Sequence, residues 1–94
     1  MKINILNKSE NELRIEIVGE GHTFCNVLQD ALLKDKHIDF VGYRIPHPLI
    51  SNPIFYIRTK ESKTPEDALM EAVKMVNREA RKIREAFEEA LKET

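Results

Sequence analysis

Two rhythms of apolar residues alternate along the chain, one with a period of two and one close to 3.6. Ile3, Ile5 and Leu6 form a short opening run, and the polar cluster Asn7-Lys8-Ser9-Glu10-Asn11 follows it. Leu13, Ile15 and Ile17 then alternate with Arg14 and Glu16, which places the aliphatics on one face of a strand and the charges on the other. Two such runs joined by a polar turn predict an antiparallel hairpin with one wet face, lying beneath the helix that comes next. Lys2 and Arg14 are expected at its edge, where they discourage stray strand pairing. Gly19 and Gly21 break the second strand, and Thr23 is the predicted N-cap of the first helix. Phe24, Val27, Leu28, Ala31 and Leu32 recur at helical spacing as one apolar stripe, widened by Cys25 and Leu33. The helix gives out in Lys34-Asp35-Lys36-His37.

The period of two then returns. Ile38, Phe40 and Gly42 alternate with Asp39, Val41 and Tyr43, a strand that Ile45-Pro46-His47-Pro48 must end, because neither proline donates to a ladder. After a loop through Ser51, Asn52 and Pro53, Ile54-Phe55-Tyr56-Ile57 is rich in strand formers. Thr64-Pro65-Glu66-Asp67 carries the marks of a helix start: a capping threonine, proline at the first helical position and acids in the first turn. From there Leu69, Val73, Val76, Ala80, Ile83, Phe87 and Ala90 recur at alternating steps of four and three, a heptad-like seam without glycine or proline. A helix from Pro65 to near the chain end spans about 40 Å at 1.5 Å per residue, whereas strands of ordinary length run about 20 Å. The half beyond Arg81 therefore needs something outside this chain to pack on.

Composition narrows the candidates. Ninety-four residues support one small domain over residues 1–94, with 41% hydrophobic and 33% charged residues. A net charge of −1 gives no broad electrostatic reason to bind nucleic acid. No apolar run approaches a membrane span and no signal peptide opens the chain, so a cytoplasmic location is expected. The lone Cys25 excludes an internal disulfide. His22-x-x-Cys25 is the best metal or thiol candidate, but a structural zinc site takes four ligands and only His37 and His47 could join these two. A catalytic cysteine needs a base within reach and an oxyanion site, and the sequence offers neither. Cys25 is read as a small buried hydrophobe and His22 as an organiser of the helix entry. Arg78, Arg81, Lys82 and Arg84 are interleaved with or followed by Glu79, Glu85, Glu88, Glu89 and Glu93, which fits a solvated helix face with internal ion pairs. No glycine-rich phosphate loop is present. Neither cofactor nor metal is expected, and no catalytic residue.

The run from Gly21-His22-Thr23 through a helix with Asn26 and Leu28, then Gly42-Tyr43 and Pro46-His47-Pro48, followed by a strand and Thr64-Pro65-Glu66-Asp67-Ala68-Leu69, resembles the small alpha-like assembly subunits of archaeal DNA-directed RNA polymerase, the subunit L family. That family is similar to the eukaryotic eleventh subunit and to the dimerisation domain of the bacterial alpha subunit. The resemblance implies an α+β, two-layer fold: a mostly antiparallel four-stranded sheet, two helices on one face, and a long C-terminal helix. It also implies a heterodimer with the larger alpha-like, D-type polymerase subunit, on which the large catalytic subunits assemble. The catalytic magnesium and its aspartates then belong to those large subunits. Carried onto this chain, the partner-binding residues are His22, Thr23, Phe24, Val27, Leu28, Ala31, Leu32, Val76, Ala80, Ile83 and Phe87. Phe24-Cys25 stands where the family more often has Leu-Gly, putting larger side chains where glycine permits close backbone approach. Gln29-Asp30 replaces basic residues of bacterial relatives, so no nucleic-acid contact is expected from this helix. The rival readings are a self-associating homodimeric interaction domain and a small thiol- or zinc-dependent enzyme.

Overall fold

The computed structural model describes residues 2–47 and 51–92. In chain order it contains strands β1 (Lys2–Lys8) and β2 (Glu12–Val18), helix α1 (His22–Leu33), strands β3 (Ile38–Arg44) and β4 (Ile54–Thr59), and helix α2 (Pro65–Lys92). The strands form one antiparallel sheet in the order β1-β2-β4-β3, with the helices packed on one side. The α+β class, the four strands and the long C-terminal helix thus stand as the sequence predicts.

The core follows from the alternation in the two central strands. Leu13, Ile15 and Ile17 of β2 and Phe55 and Ile57 of β4 are at most 3% exposed, and they meet Cys25, Leu28, Ala31 and Leu32 of α1. From α2, Pro65 at its start and then Ala68 and Ala72 are buried, the two alanines 3% exposed or less. Their small side chains, one turn apart, let the helix backbone approach the sheet closely. The seam residues Leu69, Val73 and Val76 lie beside them, partly buried. Thr64 caps α2, its Oγ1 accepting from the Asp67 N–H at 3.2 Å. Among the described residues the one buried polar side chain is Thr59, and it is satisfied because its hydroxyl donates to the Lys63 carbonyl at 2.7 Å.

Four local expectations are corrected. Helix α1 begins two residues early: Gly21 is its N-cap, extended at φ −134° and without a side-chain cap bond, and its carbonyl accepts from Cys25 N–H at 3.2 Å. Thr23 therefore sits inside the first turn. The hairpin is only half covered, since β2 lies in the core while β1 forms the sheet rim with Ile3 46% and Ile5 61% exposed. Arg14 is not on an edge, because β2 has β1 on one side and β4 on the other. In β3 the register slips between Ile38 and Phe40. This bulge puts Ile38, Val41 and Tyr43 on the core side and turns Phe40 and Gly42 to the opposite face. Strand β3 ends at Arg44, ahead of Pro46, and the Ser51 N–H closes the following loop onto the His47 carbonyl at 2.8 Å. The last member of the Pro-His-Pro corner, Pro48, lies outside the described residues.

Candidate partner-docking face

The second helix leaves the body of the protein at about its midpoint. Every described residue from Asn77 onward is exposed, and the apolar seam continues through this overhang, with Ile83 71% and Phe87 63% exposed. At 1.5 Å per residue the stretch from 77 to 92 extends roughly 24 Å beyond the last partly buried seam residue, Val76. Beside it, α1 offers Val27, 46% exposed. The two helices enclose a groove of about 340 Å³, floored by Val27, Ala31, Val76, Ala80 and Ile83. Asp30, Lys34 and Glu79 line it as well, a polar rim around an apolar floor. Phe24, Val27, Leu28, Val73 and Val76 line a second, smaller hollow of about 60 Å³. Val27 and Val76 belong to both hollows, so they sit at the centre of one continuous apolar face.

The residues named from sequence divide between this face and the interior. Phe24, Val27, Val76, Ala80, Ile83 and Phe87 remain open or partly open to a partner. Leu28 at 4%, Ala31 at 6% and Leu32 at 0% exposure are largely enclosed by the chain's own core, while Ala31 also floors the groove and Leu28 lines the smaller hollow. The reason is the sheet beneath α1, which buries the side of the helix that carries Cys25, Leu28 and Leu32. His22 and Thr23 are exposed at the entry of α1. His22 Nδ1 lies 3.0 Å from the Tyr43 hydroxyl, which donates to Asn26 Oδ1 at 3.0 Å, so the helix start is tied to β3. Sequence reasoning missed Met75 and the polar rim, because a seam traced every three or four residues passes over the residues just beside it.

The remaining chemically active groups are structural in their geometry. Cys25 is fully buried, and burial, followed by the nearby Glu20 charge, raises its thiol pKa, which leaves it a poor nucleophile. Among the described residues no group of three or more His, Cys, Asp or Glu is arranged to hold a metal ion. A polar cluster braces the far end of α1: the Lys63 ammonium donates to both Asp35 and Glu71, and the His37 ring and backbone N–H also reach Asp35 Oδ1, at 3.1 and 2.9 Å. Burial alone would raise the Asp35 pKa, but the Lys63 and His37 hydrogen bonds outweigh it and lower it to about 2. This brace joins the α1–β3 connection to the start of α2.

Residues 12–93 match the RNA polymerase Rpb3/Rpb11 dimerisation domain family. A DNA-directed RNA polymerase subunit Rpo11 from Pyrococcus furiosus is 40% identical over 94 residues, covering 98% of this chain and 99% of the relative. The Rpo11 subunit of Methanocella arvoryzae is 46% identical over 74 residues, 79% of this chain and 80% of its own. Among solved structures, the DNA-directed RNA polymerase subunit L of Thermoplasma acidophilum superposes with a TM-score of 0.83 at 27% identity, over 94% of this chain and 86% of that one. The chain belongs to the RNA polymerase Rpb3/Rpb11 dimerisation domain family.

Proposed function

We propose that this chain is a non-catalytic assembly subunit of a cytoplasmic DNA-directed RNA polymerase, acting over its whole length as a single dimerisation domain. Its helix face pairs with the larger alpha-like, D-type polymerase subunit, and the heterodimer is the platform on which the large catalytic subunits assemble. The observation that carries this reading is the α2 overhang, where an apolar seam begun in the core runs on with its described residues exposed. Direct contacts come from Phe24, Val27, Val76, Ala80, Ile83 and Phe87, with His22 and Thr23 at the entry of α1. Ala31 joins them on the groove floor and Leu28 in the smaller hollow, and with Leu32 these residues also hold α1 on the sheet. The chain supplies no catalytic group, cofactor or metal ligand to the reaction.

Co-expression with a D-type subunit followed by size-exclusion chromatography tests the reading. A stable one-to-one complex is expected, with little of either chain eluting alone. A tight homodimer that excludes the D-type subunit would overturn it in favour of self-association.

A further inference from the structure

The side of the sheet away from the helices is not a plain solvated surface. The strand register sets three rows of side chains across β2, β4 and β3 on this side: Glu12, Arg58 and Phe40; Arg14, Tyr56 and Gly42; Glu16, Ile54 and Arg44. The carboxylates here already have partners. Glu12 accepts from the Tyr56 hydroxyl at 2.8 Å, Glu16 from Asn4 at 2.9 Å, and Asp39 from Arg58 at 2.7 Å. Within these three rows two cations are left over. Among the described residues neither Arg14 nor Arg44 has a carboxylate within ion-pair distance; Arg14 lies over the Tyr56 ring, 5.6 Å from its centroid. Between them is a depression of about 290 Å³ whose floor is Gly42, Phe40, Tyr56 and Ile54. Gly42 adds no side chain to this floor, where a Cβ would stand 3.4 Å from the Phe40 ring. Phe40, turned outward by the β3 bulge, is 49% exposed.

We infer that this open sheet face is a second docking site, and that its occupant is an extended acidic segment of another polypeptide, with two carboxylates flanking one apolar side chain. The apolar side chain fills the depression over Gly42, and the carboxylates meet Arg14 and Arg44. The two arginines stand on strands separated by β4 and in neighbouring rows, about 12 Å apart at the usual strand spacing and rise. In an extended chain alternate side chains share one face, so residues i, i+2 and i+4 span about 13 Å on one side, which gives the pattern acid, any residue, apolar residue, any residue, acid. A nucleic-acid strand fits less well, because Glu12, Glu16 and Asp39 on the same face would repel a continuous run of phosphates. This site is independent of the helix face and stands or falls separately from it.

The test is an NMR titration of the full chain, ¹⁵N-labelled, with the peptide acetyl-GSEGLGEGS-amide. The Gly42, Tyr56 and Arg44 amides should shift, and the shifts should weaken as salt is raised. R14Q and R44Q should each lower affinity about threefold to tenfold, with circular dichroism unchanged. The proposal is overturned by an absence of localised shifts at millimolar peptide. It is equally overturned if the neutral peptide acetyl-GSQGLGQGS-amide binds as well, or if an octamer of oligodeoxythymidylate binds the same amides more tightly than the acidic peptide.

Discussion

Replacing Ile83 by aspartate separates a docking residue from a folding residue on the same helix. In the free chain Ile83 is 71% exposed, so it has little native packing to lose. A surface change of this kind stays within about 0.5 kcal/mol, or roughly 2–4 °C in Tm for a domain of this size. In the complex the balance is different. Fully burying an isoleucine is worth about 1.5–3 kcal/mol, and with 71% of its surface still open about 1–2 kcal/mol of that is realised only on docking. An aspartate loses this contribution and adds an unpaired charge at a buried position, which costs about 3–5 kcal/mol more. The sum of about 4–7 kcal/mol corresponds to roughly a thousandfold to a hundred-thousandfold in affinity. Thermal melts of the free variant and isothermal titration against a D-type subunit read the two quantities separately. A fall in Tm beyond about 8 °C would show that Ile83 packs within this chain after all. Unchanged affinity would remove the overhang from the interface.

The other expectations concern the interior, its brace and the motion of the overhang. Leu28→Asp places a charge at a site only 4% exposed, so cooperative unfolding should be lost in the free chain, and a sharp near-native melt would contradict the assignment of Leu28 to the core. Ala72→Leu overfills the contact between α2 and the sheet and should cost about 1–3 kcal/mol, visible as a lower urea midpoint. Asp35 has a pKa lowered from 3.8 to about 2, so its ionised form contributes stability that is complete above about pH 4 and disappears as pH falls to about 2. The stability gap between wild type and Asp35→Asn should therefore close across that window; a gap constant from pH 7 to pH 2 would refute the electrostatic account. Amides from Asn77 to Lys92 should exchange rapidly in the free chain and become protected in the heterodimer, because this stretch has helical hydrogen bonds but every residue in it is exposed. Equal protection in both states would contradict it.

Much of this arrangement was legible in the sequence, and the exceptions have physical causes. Leu13, Ile15 and Ile17 bury as their alternation predicts because β2 is a central strand with one covered face. The same logic misassigns β3, since a single extra residue near Asp39 exchanges the faces of everything after it and leaves no compositional mark. It also overestimates the cover on β1, because whether an aliphatic edge strand is covered depends on how far the helices reach, a tertiary quantity. The seam on α2 is visible through its large residues, but the buried positions within its first turns include Ala68 and Ala72, whose smallness suits a tight contact and is also the reason a search for bulky apolar residues overlooks them. On α1 a single broad stripe had to serve both the core and a partner. Only the observed rotation of the helix assigns Leu28 and Leu32 inward and Val27 outward.

That division explains why a chain this small keeps so long a helix. The first part of α2, through Val76, packs with α1 on β2 and β4, which completes a core without help from another chain. The remainder is held in register by that packed half, so the costly nucleation of a helix has already occurred within the body. Its charged residues, among them the Arg84–Glu88 pair four residues apart at 3.9 Å, keep the exposed stretch helical and soluble but bury nothing. The apolar seam along it is therefore presented in a defined direction at small conformational cost, and the hydrophobic gain is realised only when a partner covers it. A partner that binds the ordered overhang also stabilises the folded chain by mass action, so the stability of this domain rises with the concentration of whatever docks there.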